Sequence, residues 1–374
     1  MKKLTAPKLM LGSPNVYADI LYVTGFKAPD AVVVLQTRKT CFLAVSRMEL
    51  GRARAANPAL TVVTPEELGV SATQRRRLSA WAVALLKRAG VKRAEVPASF
   101  PLGAARRIEA AGMRLRVGEG AFIPQRVIKR SGEIEHLRSA QRATVASMAM
   151  ARELIRQAHV GRNGELRLSG APLTAERVRR AINMALLERD CIGGEPIVAC
   201  GAQGADPHGV GHGPLRAGEP IVIDIFPQHQ ETGYWGDLTR TVVKGRPPAT
   251  VQRMYRAVLA AQTDALALVR AGRRGAAIHR AAGLVLERHG FANRTVDGVP
   301  EGFIHGTGHG VGLEIHESPA LARTDGVLRA GHVVTVEPGL YYREHGGMRI
   351  EDTVVVTHTG FEYLATCPKT LLVQ

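Results

Sequence analysis

A chain of 374 residues is longer than one ordinary compact core, so two domains are expected. Hydrophobic residues at 45% and charged residues at 22% are the balance of a folded globular protein, which excludes extensive disorder, and no apolar run nears the ~20 residues that cross a bilayer. A net charge of +17 with pI near 10.3 raises polyanion binding, but the basic residues are scattered through helix-like segments with few aromatics to stack bases. A solvated Arg-rich surface, with no nucleic-acid or membrane partner, is the expectation.

Lys2 and Lys3 open the chain, but Pro7 and Lys8 interrupt any signal-peptide core, so an unexported protein is expected. Cys41, Cys191, Cys200 and Cys367 lie far apart and form no CxxC pair, which fits reduced thiols in the cytoplasm. Residues 31–35 and 40–45 read as a hairpin, 79–89 as a helix stopped by Gly90, and 91–96 as a further strand. This alternation predicts a small α/β domain over 1–124. Residues 131–158 then predict a long helix opening the second domain, 125–374, with Ser131 as cap and Glu133 and Glu135 near its positive end. Helices over 174–189, 250–270 and 276–289 follow, with strands over 197–200, 221–226, 234–243, 332–337 and 348–356. The mixture lacks regular βαβ alternation, so the fold class is α+β with a largely antiparallel sheet.

No phosphate-binding loop, GxSxG elbow, HExxH or dinucleotide fingerprint is present. What remains is acidic. Asp224 interrupts the apolar run IVIDIFP, and Asp237 follows thirteen positions downstream in GYWGDLTRT, a spacing that suits adjacent antiparallel strands. Glu337 ends VVTVEPG, and Glu351 lies in GGMRIEDTVVV, where strand alternation places Arg349, Glu351 and Thr353 on one face. His305, His309 and His316 share the Gly-rich stretch HGTGHGVGLEIHE, which lets side chains crowd around an ion. Four carboxylates with an imidazole suit Mn, Co, Fe or Zn better than Ca or Mg, and two divalent ions would neutralise them. The competing account is four separate buried ion pairs with Arg or Lys.

These segments resemble the pita-bread metallopeptidases, in particular the aminopeptidase P and prolidase branch. The resemblance implies a pita-bread catalytic domain preceded by a creatinase-like N-terminal domain, the latter matched more weakly through Tyr22, Thr24, Gly25, Phe26 and SRMELGRA. It implies two divalent ions, manganese first with cobalt, zinc or iron as alternatives, held by Asp224, Asp237, His309, Glu337 and Glu351, with Asp237 and Glu351 bridging. The implied reaction is hydrolysis of the Xaa-Pro bond at a peptide's N-terminus by a metal-bridged hydroxide, with Glu337 as proton shuttle. His316 would stabilise the oxyanion, His208, which follows PIVACG and Pro207, would stand near the leaving group and the proline side of the cleft, and His305 and Arg349 would bind the proline ring and carboxyl or orient Glu351. A homodimer is implied as well. The segment departs from the family pattern in Phe226 and Pro227, where a glycine commonly follows the first ligand, and in a slightly long hairpin. A dipeptide-only Xaa-Pro hydrolase, a non-catalytic binding protein on the same fold and a metal-free creatinase-type hydrolase are the alternatives.

Overall fold

The computed structural model describes residues 6–324 and 326–374, so Lys2 and Lys3 lie outside it. The chain divides into two compact units, Met1–Arg126 and Val127–Gln374. The first is a six-stranded mixed sheet whose central strand, Lys8–Gly12, pairs antiparallel with Val32–Gln36 on one side and parallel with Arg93–Val96 on the other. The predicted hairpin is there as Val32–Gln36 and Cys41–Ala44, and the predicted helix as Leu78–Arg88. Leu9, Val33, Leu35, Leu85 and Leu86 form one core face and Met10, Val34 and Leu43 the other. Both faces are apolar, as a sheet covered on both sides requires.

The second unit carries four long helices: Ser131–Gln157, Ala175–Leu187, Ala249–Leu268 and Gly275–Arg288. The first begins one residue away from the expected arrangement. Ser131 is already helical, and Glu133 accepts the Arg130 backbone N–H (2.8 Å) and its Nε (2.8 Å), so the carboxylate and not the serine closes the end. The first two helices pack on one core with Val198, Ile221, Ile223 and Ile225; the other two pack on a second with Val334, Val336, Met348 and Val354.

Two sheets, antiparallel except where Leu238–Lys244 pairs parallel with Leu372–Val373, hold the middle of the unit. In one, Ile221–Ile225 lies between Ile197–Cys200 and Leu238–Lys244; in the other, Val333–Val336 lies between Gly308–Gly310 and Asp352–Val356. The fold class is therefore α+β with largely antiparallel strands. Two expected strands differ. The run 234–243 becomes regular only at Leu238, because Trp235 donates its backbone N–H to Gly312 (3.0 Å) and its Nε1–H to Leu313 (3.1 Å). The run 348–356 is broken at Ile350 and Glu351 into Gly346–Arg349 and Asp352–Val356, yet its alternation holds: Arg349 and Glu351 face the cleft and Thr353 bonds the Asp237 carbonyl, while Met348 and Ile350 enter the core and Asp352 turns to Arg240.

Candidate active site

Asp224 enters the site through strand alternation. Ile223 and Ile225 turn into the core, whereas Asp224, opposite Ile197 and Thr239, turns the other way. Its position in an apolar strand is met by one cation: Arg349 donates an Nη to Oδ2 at 2.8 Å, while Oδ1 is buried with no hydrogen-bond partner among the described residues. Asp237 stands just before its strand, and its backbone is clamped. Gln141 on the first helix donates to the Asp237 carbonyl and accepts its N–H (2.8 Å each), and Thr353 donates to the same carbonyl at 2.8 Å. Those bonds fix the residue without using its carboxylate.

His309 comes from the Gly-rich strand. A Cβ at Gly308 would collide with the Thr335 backbone carbonyl, so only glycine lets this strand lie so close to its neighbour. The His309 Nδ1 faces the Gly310 carbonyl at 3.1 Å; a carbonyl only accepts, so Nδ1 carries the proton. Burial holds the imidazole pKa below its ordinary value, so the ring is neutral and Nε2 bears a lone pair. That nitrogen lies 3.6 Å from Asp237 Oδ2 and 3.4 Å from Glu337 Oε1. One ligand atom each of Asp237, His309 and Glu351 fall within 4.8 Å of one another.

Burial, and then repulsion from Glu351, Asp224 and Glu337, raises the Asp237 pKa well above the carboxylate range. Glu351 is raised by burial and by Glu337 and Asp224, and Glu337 chiefly by burial. A set of lone pairs turned toward each other in this way is poorly stable alone and well suited to divalent cations, for which an N/O donor set of this kind is the ordinary environment. The account of four separate ion pairs does not describe it: among the described residues only Asp224 has a guanidinium partner.

Arg349 faces the cleft with Glu351, as alternation suggested, but its direct partner is another carboxylate. It is paired with Asp224 and reaches Glu351 only through Thr239, whose hydroxyl accepts the Arg349 Nε–H (3.0 Å) and donates to Glu351 Oε2 (2.8 Å). Another Arg349 N–H donates to the Tyr341 hydroxyl at 2.7 Å, and that hydroxyl lies 2.8 Å from His305 Nε2. The His305 Nδ1 faces the Gly306 carbonyl at 2.6 Å and so carries the proton, which leaves Nε2 to accept from Tyr341. Both nitrogens are then committed, and His305 offers a ligand its ring carbons. His316 is exposed, its ring set edge-on to His309 with centroids 4.3 Å apart, and the partial desolvation of its ring, followed by His309, lowers its pKa. His208 is exposed on a loop whose backbone is tied by Asp206.

Asp224, Asp237, His309, Glu337 and Glu351, with His208, His305, His316 and Arg349, all line one cleft of about 770 Å³. Gln141, Thr239, Thr335 and Tyr341 were not singled out in the sequence. Thr239 could have been, two positions from Asp237 in an alternating strand; Gln141, about a hundred positions away on a helix, carried no such signal.

The donor set and the two-sheet architecture define a metallopeptidase-like centre. The profile of metallopeptidase family M24 matches residues 135–358, more than half of the chain, and the chain belongs to that family. It is 38% identical to the uncharacterized peptidase YqhT of Bacillus subtilis over 47% of its length, spanning about half (48%) of that relative. A Xaa-Pro dipeptidase of Pyrococcus horikoshii is 27% identical over 97% of this chain and 93% of its own. Among solved structures, the Xaa-Pro dipeptidase from Bacillus anthracis superposes with a TM-score of 0.83 at 25% identity, covering 98% of this chain and 94% of that one. The fold is the pita-bread fold of these peptidases.

Proposed function

We propose that the protein is a metal-dependent exopeptidase that hydrolyses the bond between an N-terminal residue and a following proline, an Xaa-Pro aminopeptidase. The observation that carries this reading is the neutral His309 with its Nε2 lone pair turned toward the carboxylates of Asp237 and Glu337, in a cleft also lined by Asp224 and Glu351. We assign all five as ligands of two divalent ions, manganese first and cobalt, zinc or iron otherwise. Such ions, when bound, polarise the scissile carbonyl and lower the pKa of a water molecule.

The remaining steps belong to the chain. Glu337, whose Oε1 accepts the Thr335 hydroxyl at 3.2 Å, takes the nucleophile's proton and delivers it to the prolyl nitrogen, which must be protonated to leave. His316, exposed beside His309, donates to the oxyanion. His208 stands at the leaving-group side, and the ring carbons of His305 pack on the proline. Arg349 acts through others: it holds Asp224 and, through Tyr341, the orientation of His305.

Room beyond the cleft favours peptides longer than two residues. A second cavity of about 560 Å³ adjoins it, and Ile304, His305, Gly306 and Ala322 line both. The near full-length similarity to a P. horikoshii Xaa-Pro dipeptidase favours dipeptides as a second reading. We further assign a homodimer, the simplest closed assembly, and the cytoplasm, which suits four free cysteines. The test is the Mn-loaded protein against Xaa-Pro, Xaa-Pro-Xaa and a peptide without proline. Release of Xaa from the tripeptide alone, or from both proline peptides, is expected. Cleavage of the dipeptide only would make it a dipeptidase, and no cleavage by metal-loaded protein would leave a binding module.

A further inference from the structure

The backbone around Phe226 is irregular in an informative way. Ile197 pairs with Asp224, but Gly193 pairs with Pro227, so four steps on one strand answer three on the other. One extra residue is therefore taken up over 194–196, a bulge of the kind that re-aims a side chain. The chain bends at Glu195. Phe226, two positions beyond Asp224 on the same face, lies over Gly194, where a Cβ would come within 3.2 Å of its ring. Glu195, Ile197, Val210 and Phe226 all line the cleft beside Asp224, and none of them lines the second cavity beyond His305.

Glu195 is exposed at this wall and has no ion-pair partner among the described residues, in a chain with 50 Lys and Arg against 33 Asp and Glu. An unpaired carboxylate at the rim of an apolar wall is complementary to one side-chain chemistry: an aliphatic stem ending in a cation. The stem packs on Ile197 and Phe226 while the charged head stays near water and near the carboxylate. We propose that Glu195 and Phe226 form a specificity subsite that favours lysine or arginine as the residue preceding proline. This rests on the Xaa-Pro reading, which puts proline and the residues after it at the wall shared with the second cavity and leaves the Glu195 wall for Xaa.

The test compares Lys-Pro-Ala with norleucine-Pro-Ala, which keeps the stem and drops the charge, and reads the ratio of their kcat/KM values. The ratio cancels any general loss of activity in a variant. The parent is expected to prefer lysine about fivefold, the scale of a rim ion pair, with the preference expressed in KM and fading as salt rises. Glu195→Gln brings the ratio to about one, and Glu195→Lys shifts preference toward Glu-Pro-Ala. Calorimetric titration with the same peptides carrying a methylene in place of the scissile carbonyl gives the same ordering without turnover. Equal use of both peptides, a lysine preference that survives Glu195→Gln, or a Glu195-dependent preference for Ala-Pro-Lys overturns the subsite while leaving the proposed activity intact. Failure to cleave any Xaa-Pro peptide overturns the proposed activity and the subsite with it.

Discussion

The charge balance of the cleft makes a prediction that needs no substrate. Asp224, Asp237, Glu337 and Glu351 bring four carboxylates together, and Arg349 is the one guanidinium among the lining residues, so the ionised cluster without cations is three charges negative. Cations that bind the folded chain and not the unfolded one stabilise it by about 2.7 kcal/mol per site at a hundredfold excess over Kd. For a unit the size of Val127–Gln374, about 2 to 4 °C of Tm accompanies each kcal/mol. Adding manganese to protein stripped with a chelator should then raise Tm by about 5 to 11 °C for each site filled. Asp237→Asn keeps the side-chain volume, and the Gln141 and Thr353 bonds to its backbone do not involve the carboxylate. It also removes one of the repelling charges. The stripped variant should therefore be no less stable than the stripped parent, yet should gain little from manganese if Asp237 bridges two ions as proposed. Thermal denaturation with and without metal, alongside elemental analysis, reads both effects. A variant that keeps the full manganese increment and two ions per chain would refute the bridging assignment, and a parent with no increment would refute the metal site itself.

His316→Ala should separate from that variant. It keeps the metal-dependent rise in Tm, but kcat falls by about 10² to 10³ if His316 acts as a single oxyanion donor, and a fall of less than about tenfold would remove it from that role. Arg240→Leu should destabilise the second unit by about 3 to 5 kcal/mol in urea titration, because Arg240 is buried against Asp352 at 2.6 Å and its loss leaves part of that charge uncompensated. A loss under 1 kcal/mol would mean that Lys369, 2.6 Å from the other Asp352 oxygen, suffices alone. His332 should produce an acid sensitivity of its own. Burial first, and then Lys129 and Arg329, lower its pKa to about 4, while its Nδ1 accepts the Arg329 N–H at 3.1 Å. The unfolded chain binds this proton more readily, so stability is full above pH 6.5 and declines as pH falls toward 4, by ~3 kcal/mol in all. His332→Asn should flatten that part of the urea-midpoint profile between pH 7 and 4.5; an unchanged slope would assign the acid loss elsewhere.

Much of the fold was legible where one side of an element is apolar at a single period. The four long helices of the second unit are of this kind, and their bounds differ from expectation by no more than a few residues. The first unit was harder. Its helices Leu50–Ala56 and Leu102–Ala110 are Ala- and Arg-rich with one buried residue each, Ala53 and Ile108, so no hydrophobic stripe marks them. Its central strand Lys8–Gly12 is short and wholly buried over its first four residues, and such a run has no alternation to read. The break at Ile350 and Glu351 was hidden for a different reason. The apolar pattern runs through it, and what interrupts the strand is tertiary: the Glu351 N–H bonds the Thr239 carbonyl at 3.1 Å, outside the ladder that Asp352–Val356 makes with Val333–Val336.

The adjacent residues Glu351 and Asp352 show what the sequence could and could not say about the site. Both are buried carboxylates at the start of one apolar strand, and nothing local separates them. Asp352 turns to Arg240 and Lys369, each at 2.6 Å, and accepts from Gln262 at 3.1 Å, so its charge is fully answered by the chain. Glu351 turns the opposite way, receives, among the described residues, only the Thr239 hydroxyl on its carboxylate, and faces Asp237 and His309. Alternation across the pair separates their faces but does not say which face holds the arginine. That depends on Arg240, which is three positions from Asp237, and its guanidinium spans from the Thr239 carbonyl (2.9 Å) to Asp352. One strand, Leu238–Lys244, thus sends Thr239 to Glu351 and Arg240 to the opposite side, so the carboxylate that the chain's own cations answer and the one they leave unanswered are sorted by the same two-residue alternation. A buried carboxylate reads as a ligand here by what fails to meet it, and that is a property of the packed chain.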